Sequence, residues 1–115
     1  MFIQQGVKLL KMLNNKEKKF LKKYSLENNI LKINIGKDLI DENQINNINN
    51  ALKAHEIIKI SLLNNSFENK EDKNKIFVNL SEALKYEIIE KIGNTLLVYK
   101  QNLELKNHIV IPKNL

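Results

Sequence analysis

The chain has 115 residues, of which 43% are apolar, enough for one hydrophobic core but not for two. This apolar fraction excludes a disordered tail, and the absence of cysteine excludes disulfides and thiolate metal sites. No apolar run is long enough to span a bilayer, and residues 1–12 do not follow the pattern of a signal peptide. We therefore expect a cytoplasmic protein.

Every one of the 19 basic residues is lysine, and the formal net charge is +6. A basic balance of this kind indicates a polyanionic partner, although a genome rich in A/T codons would also favour lysine, asparagine and isoleucine. The distribution of charge favours a partner. Residues 1–60 hold eleven lysines against six acidic residues, whereas residues 61–115 hold eight against seven. We expect a binding face built from the N-terminal half.

A first helix is predicted from Asn14 to about Tyr24, because Asn14 and Glu17 have the spacing of a capping box. Phe20 and Leu21 form an apolar stripe with Tyr24. Five lysines within eight residues share this helix with a single glutamate: Lys16, Lys18, Lys19, Lys22 and Lys23. Lysine is common on a solvated helix face, but like charges this dense repel one another. This repulsion favours contact with phosphates.

A strand, a tight loop, a helix and a second strand are predicted over residues 30–63. Alternation places three apolar residues of the first strand on one face: Leu31, Ile33 and Ile35. Asp41 has the position of a helix N-cap, and Ile45, Ile48 and Leu52 follow at spacings of three and four as the apolar stripe of this helix. Residues 51–60 then change from helical to extended periodicity. Such a unit favours parallel strands with a right-handed crossover. It also places Gly36 and Lys37 at a helix N-terminus, where free backbone N–H groups favour a phosphate.

The second half of the chain is predicted to contain a loop, a helix and a hairpin. A polar stretch over residues 64–75 leads into a third helix with an apolar stripe: Ile76, Phe77, Leu80 and Leu84. Residues 86–92 and 95–100 have the pattern of antiparallel strands joined by Gly93 and Asn94. The last strand is apolar on both faces, which predicts a place inside the sheet. Residues 107–112 either add an edge strand or pack against the core.

The order of these elements and the residues at two junctions resemble the YhbY-like or CRM-domain family (chloroplast RNA splicing and ribosome maturation). The specific matches are the helix-to-strand junction at residues 51–60 and the hairpin at residues 92–100, and the lysine-rich first helix and the end of the first strand also fit. The resemblance implies an α/β (α+β) fold. An N-terminal helix would precede a βαβαββ domain with a mixed four-stranded sheet, similar to the C-terminal domain of translation initiation factor three. One domain would occupy residues 13–112, after an extension of uncertain structure (1–12) and before a short tail (113–115).

The resemblance also implies a function. Family members are small RNA-binding domains, and the stand-alone bacterial forms associate with precursors of the large ribosomal subunit. A Gly-x-x-Gly loop after the first strand is the expected contact with RNA. Here the loop is Gly36-Lys37-Asp38-Leu39, so a leucine replaces the second glycine. Because a side chain there obstructs close approach of the backbone to a phosphate, more of the binding is expected from the first helix.

We expect a non-enzymatic RNA-binding protein without cofactor, metal, membrane or small-molecule partner, whose RNA is a precursor of the large ribosomal subunit. The candidate RNA-binding residues are Lys16, Lys19, Lys22, Lys23, Gly36, Lys37, Lys53 and His55. For His55, a structural role as a helix C-terminal cap is favoured over an RNA contact. Tyr24, Tyr86 and Tyr99 fall on apolar stripes and are expected in the core. The alternative function is a protein-interaction module of the same fold with weakened RNA binding.

Overall fold

In the computed structural model, the described residues are 13–36, 41–63 and 69–113, and they contain three helices and one four-stranded mixed sheet. The elements are α1 (Asn15–Glu27), β1 (Lys32–Ile35), α2 (Glu42–His55), β2 (Ile57–Leu62), α3 (Lys70–Leu84), β3 (Glu87–Ile92) and β4 (Thr95–Tyr99). The strand order is β1-β2-β4-β3, with β1 parallel to β2 and the other two pairs antiparallel. This architecture confirms the expected fold class.

Each helix begins at an Asn or Asp whose side chain accepts a hydrogen bond from the first turn. Asn14 Oδ1 accepts from Glu17 N at 2.8 Å, and Glu17 Oε1 accepts from Asn14 N at 2.9 Å, so the predicted capping box is confirmed. The predicted cap Asp41 is confirmed as well, and Asn69 caps α3. Helix α1 extends to Glu27, beyond the predicted end at about Tyr24.

The larger part of the core lies between the sheet and the two helices α2 and α3. The predicted stripes of these helices supply Ile48 and Leu52 from α2 and three residues from α3: Phe77, Leu80 and Leu84. They pack against Ile58 and Ile60 of β2 and against Leu96 and Val98 of β4. Ile33 and Ile35 of β1 face the same side, but Leu31 precedes the strand and is 44% exposed.

Helix α1 covers part of the opposite face of the sheet. Leu21 is fully buried there among Ile57, Ile89, Leu97 and Tyr99. Strand β4 is therefore covered on both faces, as its apolar sequence predicts. Residues 107–112 add no strand, and Ile109 packs into this second cluster, so the packed alternative is confirmed.

The junction between α2 and β2 is held by a buried glutamate. Glu56 is 1% exposed, has a φ of 64°, and donates its N–H to the carbonyl of Leu52. Its carboxylate accepts backbone hydrogen bonds from Asn102 and Ile109, and its carbonyl accepts one from Lys100. A single residue therefore fixes the segment that follows β4 against the end of α2. In the described ranges, no helix is long and apolar enough to cross a membrane.

Candidate nucleic-acid interface

Helix α1 presents its predicted lysines on two flanks. Lys16, Lys19 and Lys23 are exposed, whereas Lys18 and Lys22 are half-buried. Lys22 Nζ lies 3.5 Å from Glu90 Oε2 of β3, and the two side chains are 42% and 35% exposed. A pair this exposed contributes at most about 1 kcal/mol to stability. The acidic partner lowers the positive charge on one flank and leaves Lys16, Lys19 and Lys23 available to an anion.

The N-terminal end of α1 is fixed to the sheet. Leu13 N donates to Glu87 Oε2 of β3 at 3.4 Å, and Leu21 anchors the middle of the helix in the second cluster. The lysines on the outer flank therefore project from a helix whose position on the sheet is set by buried contacts. A rigid support of this kind lets a row of point charges match successive phosphates.

Gly36 lies half-buried at the C-terminal end of β1. A Cβ built on it would lie 3.7 Å from Leu63 Cδ1, an ordinary van der Waals distance, and its φ is not in the left-handed region. Neither packing nor backbone conformation requires a glycine at this position. Lys37, which the sequence also nominates, lies outside the described residues.

Lys53 and His55 lie on the last turn of α2 and are exposed. Because β1 and β2 are parallel, this turn lies at the end of the strand pair opposite to Gly36. Six residues of extended chain separate the two ends, which corresponds to about 20 Å. Lys53 and Lys100 line the same cavity, together with residues of the segment that follows β4. The predicted residues therefore occupy three places and not one patch.

The C-terminal carbonyls of α2 show what caps this helix. The carbonyl of Leu52 accepts from Glu56 N at 2.8 Å, and that of Lys53 accepts from Asn102 Nδ2 at 2.8 Å. Among the described residues, these hydrogen bonds come from Glu56 and Asn102 and not from the His55 ring. His55 instead lines a groove with Tyr24 and Asn28.

Two lysines that the sequence did not single out lie on the same face of the sheet as α1. Lys32 of β1 and Lys59 of β2 are register partners, and Lys59 is in turn opposite Leu97 of β4. Leu97 belongs to the cluster under α1, so side chains in this row point to the α1 side. The alternating sequence pattern of β1 places Lys32 on the opposite face from Ile33 and Ile35. The pairing with Lys59 depends on strand register, which the sequence does not state.

Two of the three tyrosines are core residues, as expected. Tyr86 is 6% exposed and Tyr99 is 3% exposed. Burial raises the pKa of Tyr99 to about 12, with the charges of Glu56 and Glu17 adding to the effect, and burial raises the pKa of Tyr86 further. Tyr24 is half-buried, packs against the second cluster and lines the groove that it shares with His55 and Asn28. It is the least buried of the three tyrosines, so a core position is confirmed for it only in part.

Within residues 13–36, 41–63 and 69–113, no group of three His, Asp or Glu side chains comes together in a way that could hold a metal ion. The larger of the two cavities described so far has a volume of about 290 Å³ and is lined by Leu52, Lys53, Lys100, Gln101, Asn102 and Glu104. The described surface therefore offers exposed lysines and two small cavities.

Three comparisons relate this chain to known proteins. Residues 13–100 match the model of the CRS1 / YhbY (CRM) domain. The chain is 36% identical over 96 residues to "Probable RNA-binding protein YqeI" of Bacillus subtilis (strain 168), covering 83% of this chain and 95% of that protein. It also superposes with a TM-score of 0.65 on the solution structure of the hypothetical protein SAV1595 from Staphylococcus aureus, described as an RNA-binding candidate. That match has 34% identity and covers 88% of this chain and 100% of the other.

Proposed function

Because the chain belongs to the CRS1/YhbY (CRM) domain family, we propose that it binds RNA, and specifically ribosomal RNA in a precursor of the large ribosomal subunit. The names given to YqeI and SAV1595 support RNA as the class of partner. The more specific part of the proposal, a precursor of the large ribosomal subunit as the target, rests on the resemblance to stand-alone bacterial family members. The role is that of a cytoplasmic assembly factor that binds without catalysis.

The observation that carries this proposal is the outer flank of α1. Lys16, Lys19 and Lys23 are exposed on a helix that is fixed to the sheet through Leu13 and Leu21. Lysine offers a point charge and not the bidentate fork of arginine, which suits phosphates more than base edges. Recognition through phosphates and RNA shape follows, with affinity that falls steeply as salt rises.

Sedimentation tests the proposal directly. Lysate from cells that express the tagged full chain is fractionated on a sucrose gradient at low salt, and the chain is located by immunoblot. We expect it in the fractions of large-subunit precursors and expect higher salt to release it to the top. A chain that stays at the top of the gradient at low salt, under conditions that preserve the precursors, would overturn the ribosomal part of the proposal.

A separate binding assay distinguishes RNA binding from ribosome binding. Purified chain is titrated against protein-free large-subunit ribosomal RNA in a filter assay. If the chain binds this RNA but does not co-sediment with large-subunit precursors, RNA remains the proposed partner and the precursor particle does not. Absence of RNA binding together with a co-purifying protein would favour the interaction module of the same fold.

A further inference from the structure

The α1 side of the first two strands carries a pair of adjacent lysines. Lys32 and Lys59 are register partners on the parallel strands β1 and β2, and such neighbours point to the same face about 5 Å apart. Lys32 is exposed and Lys59 is half-buried. Like charges placed directly opposite each other in a sheet are unfavourable. This face of the sheet therefore concentrates positive charge at a cost to the free protein.

Among the described residues, no acidic side chain forms an ion pair with either lysine. Among those residues, neither Lys32 nor Lys59 has a carboxylate within 4 Å of its ammonium group. The acidic residue in the same row is Glu90, opposite Leu97, and it is paired with Lys22. Two uncompensated ammonium groups side by side form a site that an anion with more than one charged group would fill.

A polar groove adjoins the lysine pair. It has a volume of about 170 Å³ and is lined by Tyr24, Asn28, Asn29, Ile30, Leu31, His55 and Ile57. Ile30 and Ile57 precede Lys32 and Lys59 by two residues and pack in the cluster on the α1 side. Two residues of strand correspond to about 7 Å, so the backbone of the lysine pair lies about that far along the strands from these two lining residues.

The chemistry of the groove suits an unstacked nucleobase. Tyr24 and His55 supply aromatic rings, and Asn28 and Asn29 supply amide groups, which are the side-chain types that stack on bases and bond their edges. Asn28 Nδ2 donates to the backbone carbonyl of Tyr24 at 2.9 Å, which holds the amide at the C-terminal end of α1. A base in a double helix is stacked and paired, so only a single-stranded segment can place one here.

We propose that single-stranded RNA crosses the α1-side face of β1 and β2, with its phosphates on Lys32 and Lys59 and one unstacked base in the groove of Tyr24, Asn28 and His55. The inference rests on the proposed RNA binding but names a different surface from the α1 flank. It gives His55 a role in contact with a base. It also predicts a preference for single-stranded over double-stranded RNA.

The test uses the full chain and a uridine dodecamer that carries one 4-thiouridine. Affinity is measured from about 50 to about 200 mM salt for the wild type and for Lys32→Gln/Lys59→Gln. Loss of two contacts with single-stranded RNA should lower the slope of log affinity against log salt by about 1.4. The matched control is Lys70→Gln/Lys75→Gln, whose exposed lysines lie on α3, and its slope should not change.

Crosslinking and a single substitution test the groove separately from the lysine pair. Crosslinking by 4-thiouridine in the wild type should map to the peptides that contain Tyr24, Asn28 or His55. Replacement of the stacking ring in Tyr24→Leu should weaken dodecamer binding by about tenfold, and a blunt RNA duplex of the same length should compete poorly. Circular dichroism of each variant establishes that it is folded.

The outcomes separate the two proposals. If the wild type binds neither the dodecamer nor ribosomal RNA, RNA binding itself fails. If it binds RNA while Lys32→Gln/Lys59→Gln keeps the wild-type salt slope, or while crosslinks map only to residues 15–23 of α1 and none to Tyr24, Asn28 or His55, the surface proposed here is wrong and RNA binding stands. Equal affinity for the duplex and the dodecamer would also overturn it.

Discussion

The carboxylate of Glu56 accepts a hydrogen bond from the backbone N–H of Ile109, a residue 53 positions further along the chain. The other carboxylate oxygen accepts from Asn102 N at 2.8 Å. Both acceptors are satisfied at a side chain that is 1% exposed. Since Ile109 packs in the cluster under α1, this one carboxylate connects the end of α2 to the far side of the sheet.

Glu56→Gln should destabilise the protein by about 1 to 3 kcal/mol, because a carboxamide has one acceptor oxygen and turns an N–H₂ group toward a backbone donor. The substitution keeps a non-glycine residue at the positive φ, so backbone strain is unchanged. Urea unfolding measures the difference. Glu104→Gln, at an exposed carboxylate in the same segment, is the control and should stay within about 0.5 kcal/mol. Equal stability of the two variants would show that the Glu56 hydrogen bonds contribute nothing net.

Lys16→Gln/Lys19→Gln/Lys23→Gln should weaken binding to ribosomal RNA by at least about tenfold and lower the salt slope by about 2 to 3, because three phosphate contacts are removed. Filter binding at several salt concentrations gives both quantities. The control, Lys70→Gln/Lys75→Gln/Lys106→Gln, has the same charge change at exposed residues outside α1. If both triple variants lose affinity equally, binding depends on net charge and not on the α1 flank.

Gly36→Ala should leave the fold intact, because the added Cβ would be 3.7 Å from Leu63 Cδ1. Its effect on RNA affinity should be smaller than that of the triple α1 variant, because the leucine at the fourth loop position already opposes close approach of the backbone to a phosphate. Thermal unfolding and filter binding measure the two effects. A loss as large as that of the α1 variant would place the loop at the centre of the interface.

Glu90→Gln should strengthen RNA binding by a few-fold, because it removes an acidic group beside Lys22 and frees that lysine for a phosphate. Stability should change by less than about 1 kcal/mol, since the ion pair is exposed to solvent. Glu82→Gln, an exposed carboxylate on α3, changes the net charge equally and serves as the control. An identical gain in both variants would attribute the effect to net charge alone.

Tyr99→Phe should be as stable as the wild type or slightly more stable at neutral pH, because among the described residues the buried Tyr99 Oη has no hydrogen-bond partner. Unfolded tyrosine loses its proton near pH 10, whereas the folded protein keeps the Tyr99 proton to about pH 12. The wild type therefore loses stability as pH rises through this window, by about 1.4 kcal/mol per pH unit from this residue.

Urea unfolding at neutral pH and between about pH 10 and pH 12 measures this difference, because the advantage of Tyr99→Phe should grow with pH. Tyr86→Phe is the comparison, since Tyr86 Oη donates to the carbonyl of Phe77 at 3.4 Å and its loss should cost stability at neutral pH. A constant difference between Tyr99→Phe and wild type across the window would contradict the raised pKa.

Local features of the sequence predicted most of the elements. The caps Asn14 and Asp41 and the turn at Gly93 and Asn94 act over a few residues, so their effect is contained in the segment itself. Apolar periodicity identified the buried faces of all three helices and the central place of β4. Alternation did not distinguish Leu31, which is 44% exposed, from Ile35, which is 1% exposed, because burial at the end of a strand depends on what covers it.

The sequence by itself determined the order and type of the elements and the family, because capping, turn geometry and periodicity are short-range properties. Only the tertiary structure decided which distant residues meet. Strand register placed Lys32 beside Lys59, and the path of the chain brought Ile109 to Glu56 and Glu90 to Lys22. These pairings arise when the whole core closes and fixes each strand against its neighbour, and no local pattern specifies them.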